Sequence, residues 1–132
     1  MATWRDHLTE AHRFWEVAEA AYDPEHRNQA LSSAILGAIA ANDALCLAFG
    51  GTVPGAASHA RAGNEMQLAL RGTRHEAEAA ARARQLAEIL EHKTAVQYGG
   101  RPARPEAADR LMKQAGRYIE WVEAVLADQV GD

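Results

Sequence analysis

Residues 30–51 read ALSSAILGAIAANDALCLAFGG, and this stretch decides the fold. From Ala30 to Phe49 it contains no Lys, Arg or Glu, and Gly50–Gly51 follows as a helix terminator. Nearly every side of the predicted helix is apolar or small, and a helix that is apolar all round is buried on more than one face. The pattern therefore predicts a helix either at the centre of the fold or in a subunit interface.

The composition of the chain is that of a helical protein. Thirty of the 132 residues are alanine, the strongest helix former, and there is one cysteine. These values exclude a collagen-like chain and a disulfide framework. No unbroken apolar run is long enough to span a bilayer, and no secretion signal pattern opens the sequence. We expect one soluble, cytoplasmic domain over residues 1–132, with no membrane segment.

Helical periodicity extends to both sides of the central stretch. A first helix is predicted from Thr3, because apolar residues follow at a spacing of four and three from Trp4 to Tyr22. Capping residues and breaks indicate further helix starts at Asp23–Pro24, Ser58, Thr73 and Pro105. No alternating β pattern or hairpin turn occurs. The sequence predicts an all-α fold, an antiparallel bundle of four or five helices.

Polar residues stand at two positions where apolar ones are expected. Asn42 and Asp43 interrupt the apolar second helix, and Lys93 and Gln97, followed by Tyr98, occupy the inward stripe of the fourth. A buried charge is costly unless it is paired, so Asp43 predicts a partner among Lys93, His59 and Tyr98. Two interpretations stay open: a polar network that sets helix register, or a site where the second and fourth helices meet.

Known catalytic patterns do not account for these residues. No two of the six histidines are four residues apart, so the sequence predicts no metal site and no cofactor. Cys46 lies in the apolar helix and is expected to be a core residue.

The middle of the chain is net basic. Residues 61–104 contain eight basic and five acidic residues, although the net charge of the chain is −4. Arg71, Arg74, Arg101 and Arg104 are therefore candidate nucleic-acid contacts. The alternative is a solvated helix face whose charges are balanced by acidic neighbours.

One run resembles a known family. Residues 27–30 and 38–45, closed by Gly50, resemble the second helix of HEPN-domain proteins. Ser58–His59, residues 93–98 and the final helix are similar to the corresponding parts of a bacterial subgroup. The resemblance implies a helical domain of the nucleotidyltransferase substrate-binding-subunit type. It also implies a homodimer, with a nucleotidyltransferase or an antitoxin protein as partner, in a toxin–antitoxin, defence or RNA-related system.

The motif that makes many HEPN proteins metal-independent ribonucleases is degenerate here. The family uses an Arg, four to six residues and then a His near the end of the fourth helix, where this chain has Lys93 and Gln97. A glutamine cannot exchange a proton near neutral pH. A literal Arg-x6-His does occur at Arg5 and His12, but on the first helix.

These observations lead to three functional hypotheses. The first is an accessory or binding module that does not cleave RNA. The second is an endoribonuclease toxin that uses His59, Lys93 and Tyr98 in a dimer cleft. The third is a small-ligand or nucleotide binder, with Asn42 and Asp43 lining a pocket between helices.

Overall fold

The computed structural model describes residues 2–54, 59–98 and 104–130, without the side chains of 59, 94–98 and 130. Every regular element in these ranges is a helix, which confirms the predicted all-α class, and of the predicted four or five helices the described ranges contain five. The helices are α1 Trp4–Ala21, α2 Arg27–Ala48, α3 His59–Leu70, α4 Glu76–Tyr98 and α5 Pro105–Val130. The predicted cap Ser58 and the predicted break at 99–102 lie outside the described residues.

α1 begins where its capping pattern predicts. The backbone N–H of Asp6 donates to Thr3 Oγ1 at 3.4 Å, and the N–H of Thr3 donates to Asp6 Oδ2 at 2.8 Å. This reciprocal pair is a capping box, which satisfies amides at the helix start. Ala11 and Ala18 of α1 are buried in the core.

The predicted start of α2 at Asp23–Pro24 is wrong, because the helix begins at Arg27. Asp23 Oδ1 accepts hydrogen bonds from the backbone N–H groups of Glu25, at 2.9 Å, and His26, at 3.0 Å. These bonds close a tight turn before the helix, and Asp23 caps that turn.

α2 is the central helix of the bundle. Fourteen of its 22 residues are buried, and it contacts each of the other four helices. Its apolar surface is therefore covered within one chain, which matches the first of the two predicted locations. A second subunit is not needed to explain its composition.

The length and composition of α2 would also allow it to cross a membrane. The share of the qualifying window that is buried inside the bundle is 78%. A core helix has the same property. The length of the unbroken apolar runs does not reveal this property of α2, because single polar residues interrupt a stretch that is apolar on average.

Gly37 brings α1 and α5 close to α2. A Cβ atom at this position would lie 3.2 Å from Ile119 Cδ1 and 3.3 Å from the backbone oxygen of Ala11. Both distances are tighter than ordinary van der Waals contact. The missing side chain is therefore what permits both helices to pack at this level.

The bundle is not fully antiparallel, because α3 runs in the same direction as α2. Asn42 lies beside Ala62, near the start of α3, and Phe49 at the end of α2 shares a depression with Thr73, just after α3. After α2 the chain turns back, and Gly51 N–H donates to the oxygen of Cys46 at 2.8 Å. Hydrophobic periodicity predicts a helix and its buried face, but not its direction.

α4 begins at Glu76, three residues after the predicted cap Thr73. Thr73 Oγ1 donates to the oxygen of Leu70 at 2.7 Å and accepts from the N–H of His75 at 3.1 Å. Glu76 accepts from the N–H of Gly72 instead of that of Thr73. These bonds close the turn between α3 and α4, so the predicted capping box does not form.

The inward stripe predicted for α5 is confirmed. All five of its residues are buried: Leu111, Ala115, Tyr118, Val122 and Val125. α5 is antiparallel to α4, since Arg74 pairs with Asp128 near one end while Gln85 Nε2 donates to the oxygen of Gln114 farther along.

Candidate functional site

The polar residue at the centre of α2 is held by hydrogen bonds from two directions. Tyr118 of α5 donates its hydroxyl to Asn42 Oδ1 at 2.7 Å, and Asn42 Nδ2 donates to the backbone oxygen of Ala62 in α3 at 3.2 Å. Asn42 is 1% exposed and Tyr118 is fully buried. The amide therefore joins three helices. These bonds are consistent with the first of the two interpretations of Asn42, a polar network that sets helix register.

Asp43 and Cys46 lie beside this network on α2. Asp43 is 7% exposed, and Cys46 is fully buried. Burial, together with the negative charges of Asp43 and Glu65, raises the pKa of the Cys46 thiol to about 12. Burial also raises the pKa of Tyr118 well above its ordinary value. Both groups keep their protons at neutral pH, so neither is a nucleophile or base there.

Lys93 does not reach Asp43 within one chain. The guanidinium of Arg82 lies 5.4 Å from the centroid of the Trp121 ring, which packs on Tyr118, so Arg82 marks the level of Asn42 along α4. Lys93 follows eleven residues later, about 16 Å along the helix axis. It is half-buried, not enclosed in the core. Of the three candidate partners of Asp43, Lys93 is thus at a different level along the bundle, because the inward stripe of α4 leaves the core before Lys93.

The residues of the ribonuclease hypothesis are spread along the α3–α4 hairpin. Gly63 packs on Ala83, so the backbone at His59 is level with about residue 87 of α4. Lys93 lies about 9 Å beyond that level and Tyr98 about 16 Å beyond it. The side chains of His59, Gln97 and Tyr98 fall outside the described part of the chain.

The arginines chosen as nucleic-acid contacts do not form one patch. Arg71 and Arg74 lie in the turn before α4, whereas Arg104 directly precedes α5. Because α4 and α5 are antiparallel, these positions are at opposite ends of the bundle, about 33 Å apart along α4. All three side chains are exposed. Arg101 lies outside the described residues.

Arg74 belongs to a cluster that sequence reasoning missed. It forms an ion pair with Asp128, and His75 Nε2 lies 3.1 Å from the same carboxylate. The hydrogen bond from Arg74 is the main cause that lowers the pKa of Asp128. The cluster lines a depression of about 360 Å³ with Phe49 and Gln129. No sequence signal links residue 74 to residue 128, because their proximity depends on α5 folding back along α4.

The literal Arg-x6-His of α1 does not form a unit either. The Arg5 guanidinium lies 4.3 Å from the centroid of the Trp4 ring, while His12 Nε2 lies 2.7 Å from Glu123 of α5. The two side chains have separate partners.

A second depression, here called the α1–α5 trough, runs between the first and last helices and encloses about 440 Å³. Its residues combine an apolar floor with charged edges. α1 contributes Trp15, Glu19 and Tyr22, and α5 contributes Met112, Lys113, Gly116, Arg117 and Glu120. The trough exists because both helices pack mainly on α2 and touch each other only at a few points.

No metal centre is found in the part of the chain that the structure describes, where no three His, Cys, Asp or Glu side chains come together as ligands. Comparisons with protein-family models, with curated proteins and with solved structures found no match. The HEPN resemblance of α2 therefore stays a prediction.

The Asn42–Tyr118 hydrogen bond is expected to stabilise the fold as a unit. Tyr118→Phe leaves a buried amide oxygen without its donor, and Asn42→Leu leaves a buried hydroxyl without its acceptor. Each variant should lower the free energy of unfolding by about 1–3 kcal/mol. The double variant should cost less than the sum, since both polar partners are gone. Urea unfolding of the four proteins measures this, and strict additivity would contradict the coupling.

Cys46 is expected to make the protein sensitive to alkaline pH. Its ordinary thiol pKa of 9.0 rises to about 12 in the fold, so the folded state holds the proton more tightly. The resulting stability is complete below the unfolded pKa and is lost as pH rises from about 9 toward 12. Urea midpoints measured across this range should fall for the wild type.

In Cys46→Ala the decline should begin about one pH unit higher, at the ordinary pKa of the tyrosines. Identical pH profiles for the two proteins, after allowance for a constant offset, would show that the thiol does not contribute.

Proposed function

We propose that the protein is a HEPN-like helical module that binds a partner and does not cleave RNA. The observation that carries the proposal is the α1–α5 trough. It has an aromatic and apolar floor from Trp15 and Met112, with charged side chains along its edges. A concave surface of this size and composition is typical of binding sites. The module acts in the cytoplasm, apart from any membrane.

The positions and partners of the polar residues support the proposal that the protein does not cleave RNA. Asn42 is engaged in the core, and the backbone positions of His59, Lys93 and Tyr98 extend over about 16 Å of the bundle. Gln97 stands where the resemblance would require a histidine, and its amide cannot act as acid or base. Lys93 can still meet a phosphate, but without the two-pronged geometry of arginine.

The hypothesis of a small-ligand binder is better supported at a different site from Asn42 and Asp43. Asn42 and Asp43 are 1% and 7% exposed, so they do not form the wall of an open pocket. Ligand binding is better supported at the α1–α5 trough.

We also propose that the protein is a homodimer, with an interface formed by a surface other than that of α2. Leu68 on the outer side of α3 is 53% exposed. Beside it runs a shallow groove between α3 and α4, lined by small residues such as Gly63 and Ala83 and by the polar residues Asn64, Gln67 and Arg84. A two-fold dimer requires a self-complementary patch, and a protruding leucine next to a small-residue groove provides one.

The resemblance suggests which partners the module serves. A nucleotidyltransferase or an antitoxin protein from a toxin–antitoxin or defence system would be bound by the dimer, with RNA as a further partner. The exposed Arg71 and Arg104 supply positive charge at opposite ends of each chain.

Purified protein incubated with a mixed RNA pool in EDTA tests the first part of the proposal. We expect no cleavage, because Gln97 stands where the resemblance would require the histidine that acts as acid or base. Gel electrophoresis and product sequencing provide the readout. Cleavage that disappears in His59→Ala, and persists in His92→Ala as the matched control, would instead support the endoribonuclease hypothesis.

Light scattering with size exclusion tests the dimer. The wild type should have twice the chain mass of 14.3 kDa, and Leu68→Lys should be monomeric, because a charge cannot be buried in the groove. Val17→Lys is the control, since Val17 is 54% exposed on α1, away from this surface. A monomeric wild type would exclude the dimer, and a dimeric Leu68→Lys would place the interface elsewhere.

A further inference from the structure

The trough has two positive charges on one wall. Lys113 and Arg117 are four residues apart on α5, and both exposed side chains line the trough. Within residues 2–54, 59–98 and 104–130, neither forms an ion pair. Like charges at this spacing repel each other on a helix by about 0.2–0.5 kcal/mol. An anion bound between these two side chains would relieve this repulsion, while Glu19 and Glu120 balance the charge of the trough as a whole.

The floor between these two cations is aromatic. Gly116 lies between Lys113 and Arg117 in sequence, and a Cβ atom there would come within 2.9 Å of the Trp15 ring. Because position 116 has no side chain, the indole of Trp15 can lie directly against α5. A flat apolar surface is thereby brought next to the positive charges, as stacking and phosphate binding together require.

Acceptors for hydrogen bonds complete the trough. Glu19 on α1 and Glu120 on α5 both line it. Their carboxylates can accept hydrogen bonds from ring N–H or hydroxyl groups of a bound molecule.

Side-chain contacts join the two helices at both ends of the trough. Tyr22 donates its hydroxyl to Asp109 at one end, and His12 lies 2.7 Å from Glu123 at the other. Asp109 and Glu123 are fourteen residues apart, about 21 Å along α5. The bounded length and the volume of about 440 Å³ suit a small molecule better than a partner helix.

We propose that the α1–α5 trough binds a planar aromatic molecule that carries a phosphate monoester, such as a nucleoside monophosphate. The ring stacks on Trp15, the phosphate lies between Lys113 and Arg117, and Glu19 or Glu120 accepts a hydrogen bond from the ring or sugar. This assignment rests on the proposed function as a binding module and adds the chemical class of its ligand.

Isothermal titration calorimetry of the full chain with AMP, UMP and phenyl phosphate tests the assignment. We expect at least one of the three to bind. Adenosine, which lacks the phosphate, and inorganic phosphate, which lacks the ring, should each bind at least about tenfold more weakly. Preference for the nucleotides over phenyl phosphate would identify a nucleotide site, and the reverse would identify a simpler aromatic phosphate.

Two variants with the same change in charge locate the site. Lys113→Gln/Arg117→Gln should weaken binding at least about tenfold, because two charge-assisted contacts are lost. Arg13→Gln/Arg110→Gln, on exposed positions outside the trough, should leave it unchanged. Gly116→Ala keeps every charge but displaces Trp15, and should also weaken binding. Circular dichroism melting verifies that each variant is folded.

Three outcomes would overturn the assignment: no heat with any of the three phosphates at millimolar concentration, equal losses in both double variants, or a single-stranded RNA oligomer that binds more than about tenfold tighter than AMP. RNA cleavage in EDTA would overturn the proposed function independently of these titrations. If the protein neither cleaves RNA nor binds these ligands, only the ligand assignment is overturned, and the proposed function stands.

Discussion

Tyr118 donates a 2.7 Å hydrogen bond to Asn42 at the centre of the bundle, and the alignment of α2, α3 and α5 depends on it. A buried amide costs free energy unless its donor and acceptor groups are satisfied. Asn42 is satisfied only when Tyr118 and the oxygen of Ala62 are both level with it. Seams of alanine tolerate small shifts between helices, since their side chains are short and alike. A single buried polar residue therefore selects one register, as it does in coiled coils.

The central position of α2 also explains why α1 and α5 leave a trough between them. Both helices pack on α2, and Gly37 lets Ile119 and the α1 backbone approach the same point from two sides. Once each is fixed to α2, their separation from each other is set by the angle at which they meet that helix. Trp15 fills part of the space because Gly116 offers no side chain to oppose it. The surface feature thus follows from packing in the core.

Local signals in the sequence predicted most of the fold, and spatial relations explain what they missed. Apolar periodicity and caps indicated five helices and the buried faces of α2 and α5, because these depend on neighbours within a few residues. Periodicity placed Lys93 on the inward stripe of α4, but it cannot show where along a helix the covering neighbours end. The direction of α3 depends on the connection that precedes it, and no local sequence pattern predicts the path of that connection. The trough joins Trp15 with Lys113, which are 98 residues apart in the sequence, and neither residue stands out alone.

The same alanines that make the chain helical also determine where a ligand can bind. Small side chains let helix axes approach closely, so the interior consists of narrow seams filled by the neighbouring helix. The polar groups at its centre, Asn42 and Tyr118, are buried and hydrogen-bonded within the core. Binding must then occur where helices part at the surface, and there large side chains such as Trp15 replace alanine. A close-packed core in which Asn42 and Tyr118 are hydrogen-bonded, and a surface seam in which Lys113 and Arg117 form no ion pair with the described residues, are two results of one composition. The first stabilises the fold, and the second is where chemistry with another molecule remains available.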